Sequence, residues 1–197
     1  MFNIVLFGAP GAGKGTQAVM IAENFRLIHL STGDILRKEI STGSELGELA
    51  RQYTDKGEFV PDKVVIDIIR SQMEQNADAE GFIFDGFPRT IAQAEAFDAM
   101  MTNFGQRISA VLALEVETEE LVKRLQIRGE SSGRADDLSI DVIRNRIKVY
   151  NNKTKPLIDY YSIQNKFQHV DGSGDIAEIS ERLTARIVDL KDQRSES

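Results

Sequence analysis

The sequence predicts an α/β fold in which a five-stranded parallel sheet lies between two layers of helices. Short apolar runs alternate along the chain with longer segments whose apolar residues recur every three or four positions. Strands separated by helices imply right-handed crossovers, which build a parallel sheet covered on both faces. The chain has 197 residues, enough for one sizeable core, so we expect a single domain over residues 1–197.

Five short apolar runs are predicted as the buried strands of this sheet. They cover residues 2–7, 27–30, 81–84, 108–114 and 167–170. Helical spacing is clearest in two stripes, one through Val65, Ile69 and Met73 and one between residues 176 and 190. The polar segment 191–197 is predicted to be a frayed tail.

The composition limits the compartment and the class of partner. The chain lacks cysteine, so disulfides and thiolate zinc sites are excluded, as expected in a reducing compartment. No apolar stretch approaches the roughly 20 residues that span a bilayer, and the N-terminus lacks the features of a signal peptide. A net charge of −7 disfavours binding to nucleic acid or anionic lipid. We therefore expect a cytoplasmic protein without a nucleic-acid or membrane partner.

A glycine run with one lysine follows the first predicted strand. The spacing Gly8-x4-Gly13-Lys14 leads directly into a helix-like segment, and glycines leave backbone N–H groups free to approach phosphate oxygens. The helix N-terminus adds partial positive charge, and Lys14 can reach the terminal phosphates. Gly15 stands where the phosphate-loop pattern carries a hydroxyl, which comes one position later at Thr16. This departure suggests that magnesium is not held directly at the usual hydroxyl position.

Two other interpretations of the glycine run and one of a later motif are weaker. A dinucleotide-binding fold would use Gly11, Gly13 and an acid such as Asp34, but Thr16 occupies the place of its third glycine. A plain tight turn does not account for strand, lysine and helix together. The segment 151–154 resembles a guanine-reading motif only faintly, because Lys155 stands where that motif requires aspartate.

Four ordered motifs carry a resemblance to a known family. GAPGAGKGTQ (residues 8–17), STGDILR (31–37), DGFPRT (85–90) and GRADD (133–137) together closely resemble the nucleoside monophosphate kinases, and the adenylate kinase family in particular. The match runs from the first strand to near residue 188. The resemblance implies reversible, Mg²⁺-dependent phosphoryl transfer from ATP to AMP, giving two ADP, in adenine nucleotide homeostasis. It also implies a monomer whose partners are ATP, AMP and ADP.

The resemblance further implies two mobile inserts on a P-loop core. Residues 31–60 resemble the AMP-binding insert, with two short helical pieces followed by GEFVPD. Residues 129–137 resemble a lid of the short type, which without cysteine carries no zinc. Glu58 stands where some relatives have lysine, a change that a backbone contact at this position would tolerate.

The resemblance implies functional roles for the residues of this sequence that stand at the family's motif positions. The implied catalytic residues are Lys14, Arg89, Arg124, Arg128, Arg134 and Arg146. The implied ATP-binding residues are Gly11, Ala12, Gly13, Lys14, Gly15, Thr16, Arg124, Arg128 and Gly174. The implied AMP-binding residues are Thr32, Arg37, Glu58, Val60, Gly86, Arg89, Gln93, Arg134 and Arg146. Asp85, with Asp34 as a second candidate, is implied as the magnesium partner through water.

Physical reasoning supports the arginines and the aspartate independently. Planar guanidinium groups match phosphate oxygens two at a time, which suits Arg37 and Arg89 to grip a phosphate. Arg124 and Arg128 are four residues apart and so lie on one helix face. Asp85 ends an apolar strand, and a charged residue in that position points to a functional role.

Two rival functions stay open at this stage. A UMP/CMP-type kinase would share the fold and differ in the acceptor base, although Thr32 and the FPRT motif favour AMP by resemblance. A non-catalytic nucleotide sensor or assembly factor would bind nucleotide without turnover. Loss of the lysine or the arginines would favour that second function, and the sequence retains both.

Overall fold

The computed structural model describes residues 1–195, and its five strands form one parallel sheet. The strands are β1 (Asn3–Gly8), β2 (Ile28–Ser31), β3 (Phe82–Asp85), β4 (Ile108–Glu115) and β5 (Phe167–Asp171). Each strand ends one residue later than predicted and begins at most one residue later. The predicted α/β fold with a five-stranded parallel sheet is confirmed.

The strand order places the first strand at the centre of the sheet. The order is β2-β3-β1-β4-β5, so β1 pairs with β3 on one side and with β4 on the other. In this register Leu6 of β1 lies opposite Asp85 of β3. The glycine run after β1 therefore meets the end of β3 at the carboxyl edge of the sheet, where open α/β sheets bind ligands.

The side chains of β1 point alternately to the two faces of the sheet and so contribute to two separate layers of the core. Ile4 and Leu6 contribute to one apolar cluster, and Val5 and Phe7 contribute to the other. All four side chains are buried. Because successive side chains of a strand point to opposite faces, a central strand that is apolar throughout must be covered on both sides.

Helices supply that cover on each face. The helices are α1 (Lys14–Phe25), α2 (Thr32–Thr42), α3 (Glu45–Thr54), α4 (Asp62–Gln75), α5 (Ile91–Asn103), α6 (Thr118–Ser132), α7 (Ile140–Val149), α8 (Leu157–Ser162) and α9 (Ile176–Ser195). Helices α1, α6, α7 and α9 pack on the face of Ile4, while α4, α5 and α8 pack on the face of Val5. The molecule is thus a three-layer sandwich.

The segments expected to be inserts have the following local structure. Between residues 31 and 60, α2 and α3 are the two predicted helical pieces. Between residues 129 and 137, α6 ends at Ser132, Gly133 caps it in the left-handed conformation, and Ala135–Asp137 form a short 3-10 turn. Helix α9 continues through Ser195, so residues 191–195 of the expected tail are helical, and residues 196–197 lie outside the described part of the chain.

A wider helical turn follows α7. Residues Tyr150–Thr154 are π-helical, and the N–H of Lys155 donates to the carbonyl oxygen of Tyr150, five residues earlier, at 3.0 Å. Among residues 1–195, none of the helices combines the length and apolar character that crossing a membrane requires.

Candidate active site

The loop between β1 and α1 has a backbone that only glycine adopts readily. Gly11 and Gly13 have φ values of +88° and +89°. A Cβ atom at Gly11 would also lie 2.9 Å from the carbonyl oxygen of Leu121. Gly13 faces open space at the N-terminus of α1, where helix N–H groups have no partner within the helix. The loop therefore has bare N–H groups that an anion could approach, at the place where the sequence predicts phosphate.

Lys14 turns back over this loop. Its Nζ donates to the carbonyl oxygens of Gly8 at 2.8 Å and Ala9 at 3.0 Å. Burial lowers the pKa of Lys14 to about 8, and Asp85 opposes part of that shift while Arg89 adds to it. The ammonium group thus sits at the carboxyl edge of the sheet with incomplete charge compensation, which suits it to receive phosphate.

Asp85 lies beside the loop at the end of β3. Its side chain is almost completely buried, and its Oδ2 atom lies 3.7 Å from Nε2 of His29. A Cβ atom at Gly15 would lie 3.6 Å from the same oxygen. Burial acts to raise the pKa of Asp85, but His29 and Lys14 outweigh it and hold the pKa below its ordinary value. The carboxylate is therefore ionised at neutral pH.

A cavity of about 430 Å³ opens next to the loop, between the sheet edge and the segments 32–60 and 132–154. All nine residues expected to contact AMP line it. They are Thr32, Arg37, Glu58, Val60, Gly86, Arg89, Gln93, Arg134 and Arg146. Lys14 also lines this cavity. The structure thus brings the predicted AMP residues together around one space.

Arg89 is held firmly in the cavity wall. Its Nε donates to the carbonyl oxygen of Gly86 at 2.5 Å, and its guanidinium lies 5.1 Å from the ring centroid of Phe59. Thr154 Oγ1 donates to the Arg89 carbonyl oxygen at 2.9 Å. Burial lowers the pKa of Arg89 to about 10, which leaves the group cationic at neutral pH. The remaining guanidinium donors can face a phosphate in a fixed orientation.

Three arginines, one on α6, one just after it and one on α7, converge on one carboxylate. Asp137 Oδ2 and Oδ1 accept hydrogen bonds from Arg128 at 2.6 and 3.1 Å, and Oδ1 also accepts one from Arg146. Arg134 Nε lies 3.7 Å from Asp137 Oδ2 and 3.5 Å from Asp136 Oδ1, without a hydrogen-bond partner. Burial, together with the nearby Arg37 and Arg128, lowers the pKa of Arg134. The three guanidinium groups therefore lie close together, and each keeps N–H donors that Asp137 does not use.

A second cleft of about 650 Å³ lies on the other side of the glycine loop. Five of the residues expected to bind ATP line it, namely Gly11, Gly13, Thr16, Arg124 and Gly174. Arg124 is fixed there because its Nε donates to Glu120 Oε1 at 2.8 Å.

The remaining expected ATP residues do not line this cleft. Ala12 is buried and Gly15 is exposed. Arg128 lines neither space, and its guanidinium donates to Asp137. The loop therefore separates two spaces, with Lys14 on the cavity side.

Asp34, the second candidate near magnesium, is paired in this structure. Its Oδ1 accepts a hydrogen bond from Arg37, three residues later on α2. Burial acts to raise the pKa of Asp34, but Arg37 and Ser31 outweigh it and lower the pKa. Within residues 1–195, the acidic and histidine side chains nowhere form a group of three suited to hold a metal ion.

Three residues of the site were not predicted from sequence. Phe59 lies under the Arg89 guanidinium, Thr154 holds the Arg89 carbonyl, and Asp62 accepts a hydrogen bond from Gln93. For Asp62 and Phe59 the only signal was their position inside GEFVPD. No sequence pattern indicated the contact of Thr154, which joins residues 65 positions apart.

Comparison with known proteins connects this geometry to one family. The family model described as adenylate kinase matches residues 6–166. A Flavobacterium psychrophilum protein named adenylate kinase is 51% identical over 190 residues, which cover 96% of this chain and 100% of that protein. Adenylate kinases of Flavobacterium johnsoniae and Phocaeicola vulgatus are 52% and 49% identical over 190 residues, with the same coverage.

Proposed function

Since the chain belongs to the adenylate kinase family, we propose roles in that family's reaction for the residues that surround the two clefts. The chain is a phosphotransferase that catalyses reversible phosphoryl transfer from ATP to AMP, giving two ADP. The observation that carries the role assignments is the cavity in which Lys14 and four arginines face one space at the carboxyl edge of the sheet.

ATP is proposed to bind along the glycine loop. Its adenosine would lie in the cleft of Arg124 and Gly174, and its phosphates would run across the loop towards Lys14. The open space at Gly13 and the free N–H groups at the start of α1 support this direction. Lys14 would then exchange the carbonyl oxygens of Gly8 and Ala9 for phosphate oxygens.

AMP is proposed to occupy the cavity of about 430 Å³. The guanidinium groups of Arg37 and Arg89 would hold its phosphate, and Gln93 would contact the adenine edge. Thr32 and Val60 would shape the wall on the α2 side, with backbone contacts at Glu58 and Gly86. This arrangement points the AMP phosphate towards the loop that holds ATP.

The transfer itself needs no nucleophile from the protein. An oxygen of the AMP phosphate attacks the γ-phosphorus of ATP in line, a new P–O bond forms, and the bond to the β-phosphate oxygen breaks. Both products are ADP. Arg128, Arg134 and Arg146 are proposed to stabilise the charge on the transferring group, the type of contribution that is worth about 10³ to 10⁵ in rate for such an arginine.

Magnesium fits this site as a partner of the phosphates. The buried, ionised carboxylate of Asp85 lies next to Gly15, within the reach of a hydrated ion on the loop. Mg²⁺ prefers one or two carboxylates together with waters and phosphate oxygens, so a single nearby aspartate suffices. When bound, the ion supplies charge neutralisation on the β- and γ-phosphates. Asp85 would orient its water, and Asp34 is the second candidate.

Closure of two segments is proposed to exclude water during transfer. Residues 31–60 would act as the AMP-binding insert and residues 129–137 as a short lid, each carrying residues that line the cavity. Water would otherwise compete with AMP as the acceptor.

A cytoplasmic, monomeric enzyme without zinc is the proposed form of the protein. The lack of cysteine and the net charge of −7 support the absence of a thiolate zinc site and of a nucleic-acid partner.

The experiment that tests the function offers MgATP with AMP, UMP, CMP or GMP and follows diphosphate formation. We expect strong turnover with AMP. Turnover with a pyrimidine acceptor alone would keep the mechanism and overturn the substrate. Tight ATP binding without turnover on any of the four would favour a nucleotide sensor instead.

A further inference from the structure

The Gln93 side chain, which is 1% exposed, has both ends of its amide engaged. Its Oε1 accepts a hydrogen bond from the Arg89 backbone N–H at 2.7 Å, and its Nε2 donates to Asp62 Oδ1 at 2.7 Å. Gln93 nevertheless lines the cavity assigned to AMP. One N–H and one oxygen lone pair of the amide are left for a ligand.

Asp62 is itself fixed by a second contact. Its Oδ2 accepts a hydrogen bond from Thr90 Oγ1 at 3.0 Å, and Thr90 Oγ1 accepts one from the Gln93 backbone N–H at 3.1 Å. Asp62 is the first residue of α4, and Thr90 caps α5. The three side chains therefore form a closed network between two helices.

This network permits only one orientation of the Gln93 amide. A carboxylate accepts hydrogen bonds and cannot donate them, whereas a backbone N–H donates and cannot accept. If the amide were turned over, its oxygen would face the Asp62 carboxylate and its NH₂ group would face the Arg89 N–H. Both contacts would be repulsive, and both polar groups would lose a partner in a buried place.

We propose that Asp62 is a specificity-determining positioning residue that locks the Gln93 amide into the orientation that reads a 6-amino purine. In this orientation the free N–H can donate to N1 of adenine and the free lone pair can accept from its 6-amino group. A 6-oxo purine carries a hydrogen on N1 and an acceptor at position 6, so it opposes the amide at both points. The proposal rests on the proposed placement of AMP in this cavity.

The test compares AMP with inosine monophosphate as acceptors, because the two differ only at the 6-position and N1. In Asp62→Asn the new amide can present either oxygen or NH₂ to Gln93, so the carboxylate's part of the lock is removed while size and shape are retained. The Arg89 backbone N–H is then the one remaining contact of the pair that opposes the turned-over amide. We expect the ratio of kcat/KM for AMP over inosine monophosphate to contract by about tenfold or more, mainly through the KM for AMP. The KM for ATP should stay within about twofold of that of the unchanged protein.

Two further variants separate orientation from general damage. Asp67→Asn removes an exposed carboxylate of α4 that pairs with Lys63, and we expect it to leave the acceptor ratio unchanged. Asp62→Glu keeps a carboxylate and should retain most of the preference. Circular dichroism and the melting temperature establish that each variant is folded.

Two outcomes would contradict the proposal that Asp62 fixes the Gln93 amide. An unchanged ratio in Asp62→Asn shows that the carboxylate does not select the base, and equal losses with both acceptors show a merely structural role. If the unchanged protein fails to use AMP at all, the proposed function falls instead, and this result is read from the same assay before any variant is compared.

Discussion

Arg128 donates two parallel hydrogen bonds to Asp137, at 2.6 and 3.1 Å, and the Asp137 side chain is completely enclosed. The same carboxylate accepts a hydrogen bond from Arg146 and lies 3.7 Å from Nε of Arg134. One buried acid therefore gathers the three guanidinium groups assigned to the transferring phosphoryl group. It fixes where they are before a nucleotide arrives, which reduces the reorganisation that the transition state requires.

Replacing this acid should weaken both fold and catalysis. We expect Asp137→Asn to lower the free energy of unfolding at pH 7 by about 1.5–3 kcal/mol, because charge-assisted hydrogen bonds are lost from a buried group. The value is measured by urea unfolding, with Asp141→Asn, an exposed residue at the start of α7, as the matched control.

The loss of unfolding free energy in Asp137→Asn should depend on pH in a defined direction. The arginines outweigh burial and hold the pKa of Asp137 below its ordinary value of 3.8, so its contribution is full above that pH and disappears as the pH falls through the folded-state pKa. The stability difference between the two proteins should thus be constant near neutrality and shrink below about pH 4. A difference that stays constant down to pH 2 would contradict the pairing.

Removing the loop lysine should stop turnover without unfolding the protein. In Lys14→Met the contacts to Gly8 and Ala9 are lost. The variant also removes a half-buried positive charge that nearby negative charge compensates only in part, so the two effects on stability oppose each other. We expect kcat to fall by about 10² or more and the melting temperature to change little. Lys148→Met on the exposed face of α7 is the control. Near-normal turnover in a folded Lys14→Met protein would refute the assignment.

The lowered pKa of Lys14 predicts proton uptake when ATP binds. With a pKa of about 8, the free lysine is mostly neutral at pH 9, and phosphate oxygens stabilise its charged form. ATP affinity should therefore fall as the pH rises through 8. Calorimetry at pH 9 in buffers of different ionisation enthalpy should show uptake approaching one proton per ATP. The Lys14→Met protein should lack this uptake, and equal uptake in both proteins would assign it to another group.

Arg89→Lys should damage the use of AMP more than that of ATP. A lysine keeps the charge but loses the fork that contacts Gly86 and the planar group that lies over Phe59. We expect kcat/KM for AMP to fall about 10²-fold, with the KM for ATP nearly unchanged. Steady-state kinetics with each nucleotide varied in turn measures both. Arg144→Lys, on the exposed side of α7, is the control, and equal losses for both nucleotides would count against the assignment.

Asp85→Asn should raise the magnesium requirement. The amide retains the shape of the side chain but loses the negative charge that lies beside Gly15 and His29. We expect the Mg²⁺ concentration for half-maximal activity to rise about 10- to 100-fold at fixed ATP. Asp34→Asn, tested in parallel, should have the smaller effect because Arg37 already occupies one of its oxygens. A larger effect at Asp34 would reverse the proposed order of the two acids.

Local patterns were sufficient to predict the fold and the conformation of the glycine loop. The strands follow from short apolar runs, and the loop conformation follows from glycines at positions such as Gly11 and Gly13, whose φ values are positive. The arginines stand in sequence motifs, so their convergence could be expected from resemblance. The strand order could not, because the pairing of β1 with both β3 and β4 is a property of the assembled sheet.

The unpredicted contacts are those that join distant segments through ordinary residues. Asp62 and Gln93 are 31 positions apart, and an acid at a helix start normally needs no further explanation. His29 stands in no motif of the sequence, yet the pairing of β2 with β3 places it beside Asp85. Such roles depend on which element packs next to which, and a single sequence does not encode that information in a local pattern.

Because Tyr150–Thr154 is a π-helical turn, the number of residues in this stretch matters more than the type of each residue. It carries one more residue per turn than the α form would, and it brings Thr154 to the Arg89 carbonyl. Deleting a single residue within the turn would restore a regular helix, because the turn holds about one residue more than an α turn. In the regular helix between Arg146 and the turn, by contrast, an insertion or deletion would rotate every later side chain by about 100° and shift Arg146 and Thr154 out of register with each other.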